Sequence, residues 1–325
     1  MRYILIILVF LSIGADAQMV IKAHPNYVPF GAFRGLLDDY PNAAAAYSLR
    51  KLDKDYTGAA IRVRKDTTGQ PEQDVFFTAA GDLDTSALKS FILNNSGFVT
   101  TWYSQGDSAS VDFTQSTQAN QPRIALNGVI DRLAGEPSIR FDGNDFMTIT
   151  SSQSKFEFMH RSGLSSVFLI AQIRAGAFNY VFYNNNNTSS NFIGTAFFAT
   201  ATNSIRSQVT RGVGNTFVSD NTTSNNFTIT NDLFVITNEL DNANATAANR
   251  NKLYYNDGNA ITNNANNSIA STTINSGQNM TLGRTSSGGT ANLSGSVTEL
   301  IFFKGDKTSD RTGIRNAINT YYGIY

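Results

Sequence analysis

The sequence predicts a mainly β protein, a sandwich or jelly roll with a few short helices, and three observations carry that expectation. From Pro137 onward, short runs rich in Val, Ile, Phe, Tyr and Thr alternate with clusters of Asn, Gly and Asp, as in strands joined by turns. Asn256-Asp257-Gly258 separates "KLYY" from "NAI", and these residue types accept the positive φ of tight hairpins. Cysteine is absent, so neither disulfides nor zinc-thiolate sites can hold the chain together. Stability must come from burial of a large apolar core.

The elements follow in chain order. "MRYILIILVFLSIGADAQ" has Arg2 in a positive n-region, an apolar run from Ile4 to Ile13 and the small-residue site Ala15-Asp16-Ala17. That pattern predicts a secretory signal peptide over residues 1–17, because about ten apolar residues fall well short of the roughly twenty needed to span a bilayer. Residues 18–35 form an N-terminal segment, and a single domain is expected over 36–325. Within it "AAAAYSLRKL", Ala43 to Leu52, reads as a short helix from its strong helix formers. Ile61 and Val63 alternate with Arg62 and Arg64, the period of a half-buried strand. "DTSALKSFILNN" places Leu88, Phe91 and Ile92 at helical spacing behind Asp84 or Thr85 as N-cap.

The β region then runs through "SIRFDGNDFMTIT", "SSVFLIAQIRA", "NYVFY", "FIGTAFFA", "NDLFVITNEL", "NKLYY", "NMTLGR" and "SVTELIFFK". Asn- and Ser-rich tracts, Tyr183 to Asn191 and Ile261 to Asn279, read as solvated loops. "SDRTGIRNAINTYYGIY" closes the chain as a helix capped by Ser309, with Ile314, Ala317, Ile318 and Tyr321 facing the sandwich. Lysine plus arginine equal aspartate plus glutamate, 25 each, without a basic run. Nucleic acid is therefore excluded as an expected partner, since phosphate binding needs a concentrated positive surface. After the signal no segment is long and apolar enough for a membrane helix.

"AAAAYSLRKLDKDYTGAAIRVRK", "GDLDTSALKSF" and "GFVTTWYSQ…TQSTQANQPRI" together resemble the catalytic domain of glycoside hydrolase family 54, the α-L-arabinofuranosidases, and equally a group of phage and bacterial surface proteins. "RFDGNDFMTI", "LYYNDGNAI" and "SVTELIFFK" are similar to laminin-G-like, concanavalin-A-like jelly rolls. The resemblance implies a concanavalin-A-like β-sandwich, a fold that hosts lectins and glycanases alike. A retaining glycosidase needs two carboxyl groups about 5–5.5 Å apart. The resemblance places the family's nucleophile within Asn191 to Arg206 and its acid/base at Ser287, where this sequence has no carboxylate. The family's paired cysteines are missing too, and Ser104 stands where its W-Y-D-Q motif carries an aspartate.

These absences lead to the expectation of a non-catalytic carbohydrate-binding or surface-adhesion module, exported or carried on a phage particle. The alternatives are an arabinofuranosidase-like hydrolase and a purely structural surface or virion protein. Trp102, Tyr103 and Tyr183 are the candidate sugar contacts, since aromatic faces give sugar rings a flat apolar partner. Asp142, Asn144 and Asp145 could offer oxygen ligands to Ca2+, although a turn closed by Asp142 on its own backbone explains them as well. In the hydrolase alternative the carboxylates are Glu239, Asp241 and Glu299, the first two sharing one strand face. His24 and His160 are the only histidines, too few for a histidine metal site or a Ser-His-Asp triad, and His160 reads as a surface residue.

Overall fold

The computed structural model describes residues 33–161, 163–174, 178–188, 191–201, 204–211, 219–224, 233–262, 275–285 and 292–325. The expected signal peptide, Ser287 and parts of both Asn-rich tracts lie outside them. In chain order come α1 (Leu36–Asp39), β1 (Ala43–Ser48), β2 (Ile61–Lys65), β3 (Glu72–Val75), α2 (Thr85–Ile92) and β4 (Gly97–Trp102). Short strands follow: β5 (Phe113–Thr114), β6 (Arg123–Leu126), β7 (Val129–Ile130), β8 (Arg132–Leu133), β9 (Glu136–Pro137), β10 (Ile139–Asp142) and β11 (Met147–Thr148). Next are β12 (Leu164–Ile173), β13 (Asn179–Tyr183), β14 (Asn186–Thr188), β15 (Asn191–Ala201), β16 (Ser204–Arg211) and β17 (Ser219–Ser224). The chain ends with β18 (Phe234–Asp241), β19 (Asn251–Tyr255), β20 (Thr281–Leu282), β21 (Ser294–Phe303) and α3 (Arg311–Tyr322).

Among the described residues the strand pairing is antiparallel and forms two layers, joined where β4 pairs with β6. One runs β3-β2-β4-β5-β11-β20-β13-β15-β16-β17. The other runs β7-β6-β10-β21-β12-β18-β19, with β1 beside β10 on the same edge of β21. The mainly β expectation therefore holds. Side chains alternate along each strand, so Val63, Val99, Phe182 and Phe197 of the first layer meet Val167, Leu169, Leu300 and Phe302 of the second in one core. Phe182 and Phe302 touch across it, their ring centroids 5.5 Å apart.

The opposite face of the second layer is also apolar. Phe168, Ile170, Val235, Ile301 and Phe303 pack there against Leu36 and Leu37 of α1 and Ile314, Ile318 and Tyr322 of α3. The C-terminal helix thus lies on the sandwich as expected, with Asp310 rather than Ser309 at its N-cap position. For α2 the expected cap is present, Asp84 accepting from the backbone N–H of Ala87 at 2.9 Å.

The helix expected over Ala43 to Leu52 is instead β1. Its register runs from Ala43 opposite Phe303 to Ser48 opposite Glu299. Ala45 and Tyr47 enter the inter-layer core while Ala43 and Ala46 enter the helix-side cluster, so the segment is buried on both faces. Alanine's helix preference is worth only a few tenths of a kcal/mol per residue and is outweighed by that burial. The "WYSQG" segment closes the free edge of β1: the Gln105 and Asp107 N–H groups donate to the Ala46 and Ala43 carbonyls at 2.7 and 2.8 Å. Gly106 is required there, because a Cβ would stand 2.7 Å from the Ala45 Cα.

Candidate active site

The period-2 pattern of β18 sends Ile236 and Leu240 into the inter-layer core and leaves Thr237, Glu239 and Asp241 on the other face. Glu239 lies opposite Ser166 of β12 and Lys252 of β19. Beyond the N-terminal end of α3 this face opens into a cavity of about 280 Å³, lined by Ser166, Glu239, Asp241, Asn244, Lys252 and Asp306, among others. Its size is near the lower end of the roughly 300–1,000 Å³ typical of small-molecule sites.

Each carboxylate is oriented by donors. Glu239 Oε1 accepts from Arg311 Nη1 at 2.6 Å and Oε2 from the Tyr254 hydroxyl at 2.9 Å. Arg311 also donates to the Tyr254 oxygen at 3.0 Å and stacks 4.0 Å from the ring centroid. Burial, and then the neighbouring Glu239 charge, push the Tyr254 phenol up to about 12, so it remains a donor across the neutral range. Asp241 Oδ2 accepts from Asn244 Nδ2 at 2.7 Å. Hydrogen bonds from the Thr308 hydroxyl and N–H hold Asp306 below the ordinary aspartate value. A carboxylate has about four lone-pair sites, so the two donors on Glu239 leave capacity for a ligand. Of this set the sequence pointed to Glu239 and Asp241 only. Tyr254 on β19, Asp306 just before α3 and Arg311 at its start carry no local signal.

The other candidates are placed elsewhere. Glu299 is fully buried beneath α3, where Ser48 Oγ donates to it at 2.8 Å and Arg50 at 2.8 and 3.0 Å. No substrate can reach it, so its catalytic reading is corrected to a structural one. Trp102 is likewise fully buried, against Tyr47 at 5.7 Å, and offers no face to a sugar. Tyr103 is half-buried with its hydroxyl donating to Asp74 at 2.9 Å. Tyr183 is buried in a small aromatic cluster with Tyr180 and Phe198. His160 is fully buried rather than on the surface.

Asp142 Oδ1 accepts from the Asn144 N–H at 2.8 Å and Asp145 Oδ2 from the Asp142 N–H at 2.9 Å. The turn is closed by its own backbone. Asp142 and Asp145 each already accept from a backbone N–H, and among the described residues no group of three His, Asp or Glu side chains could hold a metal ion. Where the resemblance placed the nucleophile, β15 instead turns Phe197 into the core and stacks Phe198 on Tyr180 at 4.6 Å.

No family model matches the chain, and no curated protein matches it. Solved structures do. An arabinofuranosidase complexed with arabinofuranosyl-α-1,2-xylobiose superposes with a TM-score of 0.58 at 15% identity, over 87% of this chain and 64% of that one. The chain shares the β-sandwich of family 54 arabinofuranosidases. Two further structures of family 54 α-L-arabinofuranosidase, one soaked with a cyclic sulfate inhibitor and one a glutamate-to-glutamine mutant soaked with 4-nitrophenyl α-L-arabinofuranoside, match with TM-scores of 0.54 at 15% and 13% identity. Each is again covered over 64% of its length, so this chain spans just under two thirds of these enzymes.

These matches correct the expectation of a non-catalytic module. The structures that cover 87% of the chain are those of arabinofuranosidases. Among the described residues no helix is long and apolar enough to cross a membrane.

Proposed function

We propose that this chain is a glycoside hydrolase acting on α-L-arabinofuranosides, with Glu239 and Asp241 as its carboxyl pair. The observation that carries the reading is their joint projection from one strand face into the 280 Å³ cavity, on a sandwich shared with arabinofuranosidases. Residues two apart on a strand are separated by about 6.8 Å at Cα, and their side chains can converge to the ~5–5.5 Å of a retaining pair. Fold likeness alone does not assign chemistry, so the roles are argued from the residues.

Glu239, oriented by Arg311 and Tyr254, is the nucleophile: its carboxylate attacks the anomeric carbon while the Asp241 carboxyl protonates the departing glycosidic oxygen. Asp241, then a carboxylate, takes a proton from water. That water attacks the glycosyl ester, and Glu239 leaves as the carboxylate. Lys252, Asn244 and Asp306 supply hydrogen-bonding groups for sugar hydroxyls, and Arg311 is a positioning residue.

Release of 4-nitrophenol from 4-nitrophenyl α-L-arabinofuranoside tests the assignment. Glu239→Gln and Asp241→Asn should each lower kcat by about 10²–10⁴-fold, with circular dichroism unchanged. Turnover that survives both substitutions, or a wild-type protein without turnover on any arabinofuranoside, refutes the proposal.

A further inference from the structure

A second cavity, of about 300 Å³, opens on the same layer and is lined by Phe98, Gln118, Arg123, Arg140, Asp142 and Asp145, among others. The charges on and beside it are arranged unusually, with Arg123 and Arg140 on its wall and Arg174 outside its lining. Arg123 on β6 lies directly opposite Arg140 on β10, although like charges facing each other across strands are destabilising. Arg140 in turn faces Ser296 of β21, and Ser296 faces Gln172 of β12. Arg174, two residues beyond, donates from Nε to Gln172 Oε1 at 2.6 Å.

Only one of the three guanidinium groups has a carboxylate at ion-pair distance among the described residues. Arg123 is held by Asp131 through bonds of 2.7 and 2.9 Å. Arg174 has the neutral Gln172, and Arg140 makes no side-chain hydrogen bond or ion pair among the described residues. Burial, then Arg140, hold Arg174 below its ordinary value, and Arg123 adds to this while Asp131 opposes it. A cluster built for stability would pair these charges, as Arg50 and Glu299 are paired. The two acids on the cavity wall are already engaged by backbone N–H groups, and burial pushes Asp145 up to about 7, which leaves it uncharged in mildly acidic solution. A planar guanidinium fork matches the paired oxygens of a carboxylate or sulfate.

We infer that Arg140 and Arg174 receive the oxyanion of an acidic sugar, a uronate carboxylate or a sulfate ester. That the anion is carried on a sugar rests on the glycoside reading above; the oxyanion chemistry does not. Gln172 is opposite Ser296 at one end of β12 and Ser166 lines the catalytic cavity at the other, six residues or about 20 Å along the strand. The acidic group is thus read away from the scissile bond, and it anchors a decorated polysaccharide while an arabinofuranosyl branch is cut.

Calorimetric titration at pH 6 of the full chain uses four probes: a xylo-oligosaccharide bearing one glucuronate, its neutral parent, a sulfated disaccharide and inorganic sulfate. The glucuronate or sulfated sugar should bind at least tenfold more tightly than the neutral parent. Arg140→Gln should abolish that preference, Arg174→Gln should weaken it, and Arg140→Lys should restore part of it, all with unchanged turnover of the neutral nitrophenyl substrate. Equal binding of acidic and neutral sugars, or a preference that survives Arg140→Gln in a folded protein, overturns the inference. Binding of inorganic sulfate without preference for either acidic sugar overturns the sugar assignment. A wild type that binds the acidic sugar yet turns over nothing refutes the hydrolase proposal alone, so the two failures are distinguishable.

Discussion

Glu299→Gln separates a structural from a catalytic carboxylate. The Glu299 side chain has no exposed surface, and that of Arg50 is 11% exposed. Burial works against the Arg50 charge, but Glu299 outweighs it and holds Arg50 above its ordinary value. The guanidinium reaches both carboxylate oxygens, at 2.8 and 3.0 Å, and also stacks 4.6 Å from the Tyr321 ring centroid. Ser48 and the Tyr322 hydroxyl donate to Oε2 at 2.8 and 3.3 Å. The glutamine keeps the shape and removes the charge, leaving Arg50 buried and uncompensated. Breaking one side of such a pair costs about 3–5 kcal/mol. For a unit of about 290 residues, Arg34–Tyr325, an unfolding entropy near 2.1 cal/mol/K per residue converts this to a fall in Tm of about 5–8 °C. Scanning calorimetry measures it, and nitrophenyl arabinofuranoside turnover per folded molecule should stay at the wild-type value. The double substitution Glu299→Leu with Arg50→Leu should recover much of the loss, because the unpaired charge is gone. A Tm within 1 °C of wild type together with lost turnover would refute this reasoning and return Glu299 to the catalytic set.

Two further outcomes are expected. Asp145, 5% exposed, is raised to about 7 mainly by burial, with the Asp142 charge adding to it. The folded state therefore holds a proton that the unfolded chain has released, so stability falls as pH rises from about 4 to 7, by at most about 1.4 kcal/mol per pH unit. Asp145→Asn should flatten that slope in urea titrations, and an unchanged slope would show that Asp145 is not its source. Trp102→Ala should destabilise by about 3–5 kcal/mol through the cavity it leaves, while Trp102→Phe should cost less and leave arabinofuranoside KM unchanged. A raised KM in the phenylalanine variant would instead place Trp102 at the sugar.

Local pattern determined much of this protein. The alternation in "IRVRK", the β-type run "DLFVITNEL", the Asp84 cap, the Asn256-Asp257-Gly258 turn and the C-terminal helical spacing each encode their element within a dozen residues, and each is found in the fold. The same period of two is enough to put Glu239 and Asp241 on one strand face. Tertiary structure alone decided three matters. It made β1 a strand, because burial on both faces outweighs alanine's weak helix preference. It buried Trp102 and Glu299 and left Glu239 at a cavity, since a residue type does not state what will cover it. It also brought Tyr254, Asp306 and Arg311 to Glu239 and Asp241, and Arg174 toward Arg140. Those juxtapositions arise from strand pairing and from the packing of α3 on the second layer, and no window of the sequence contains them.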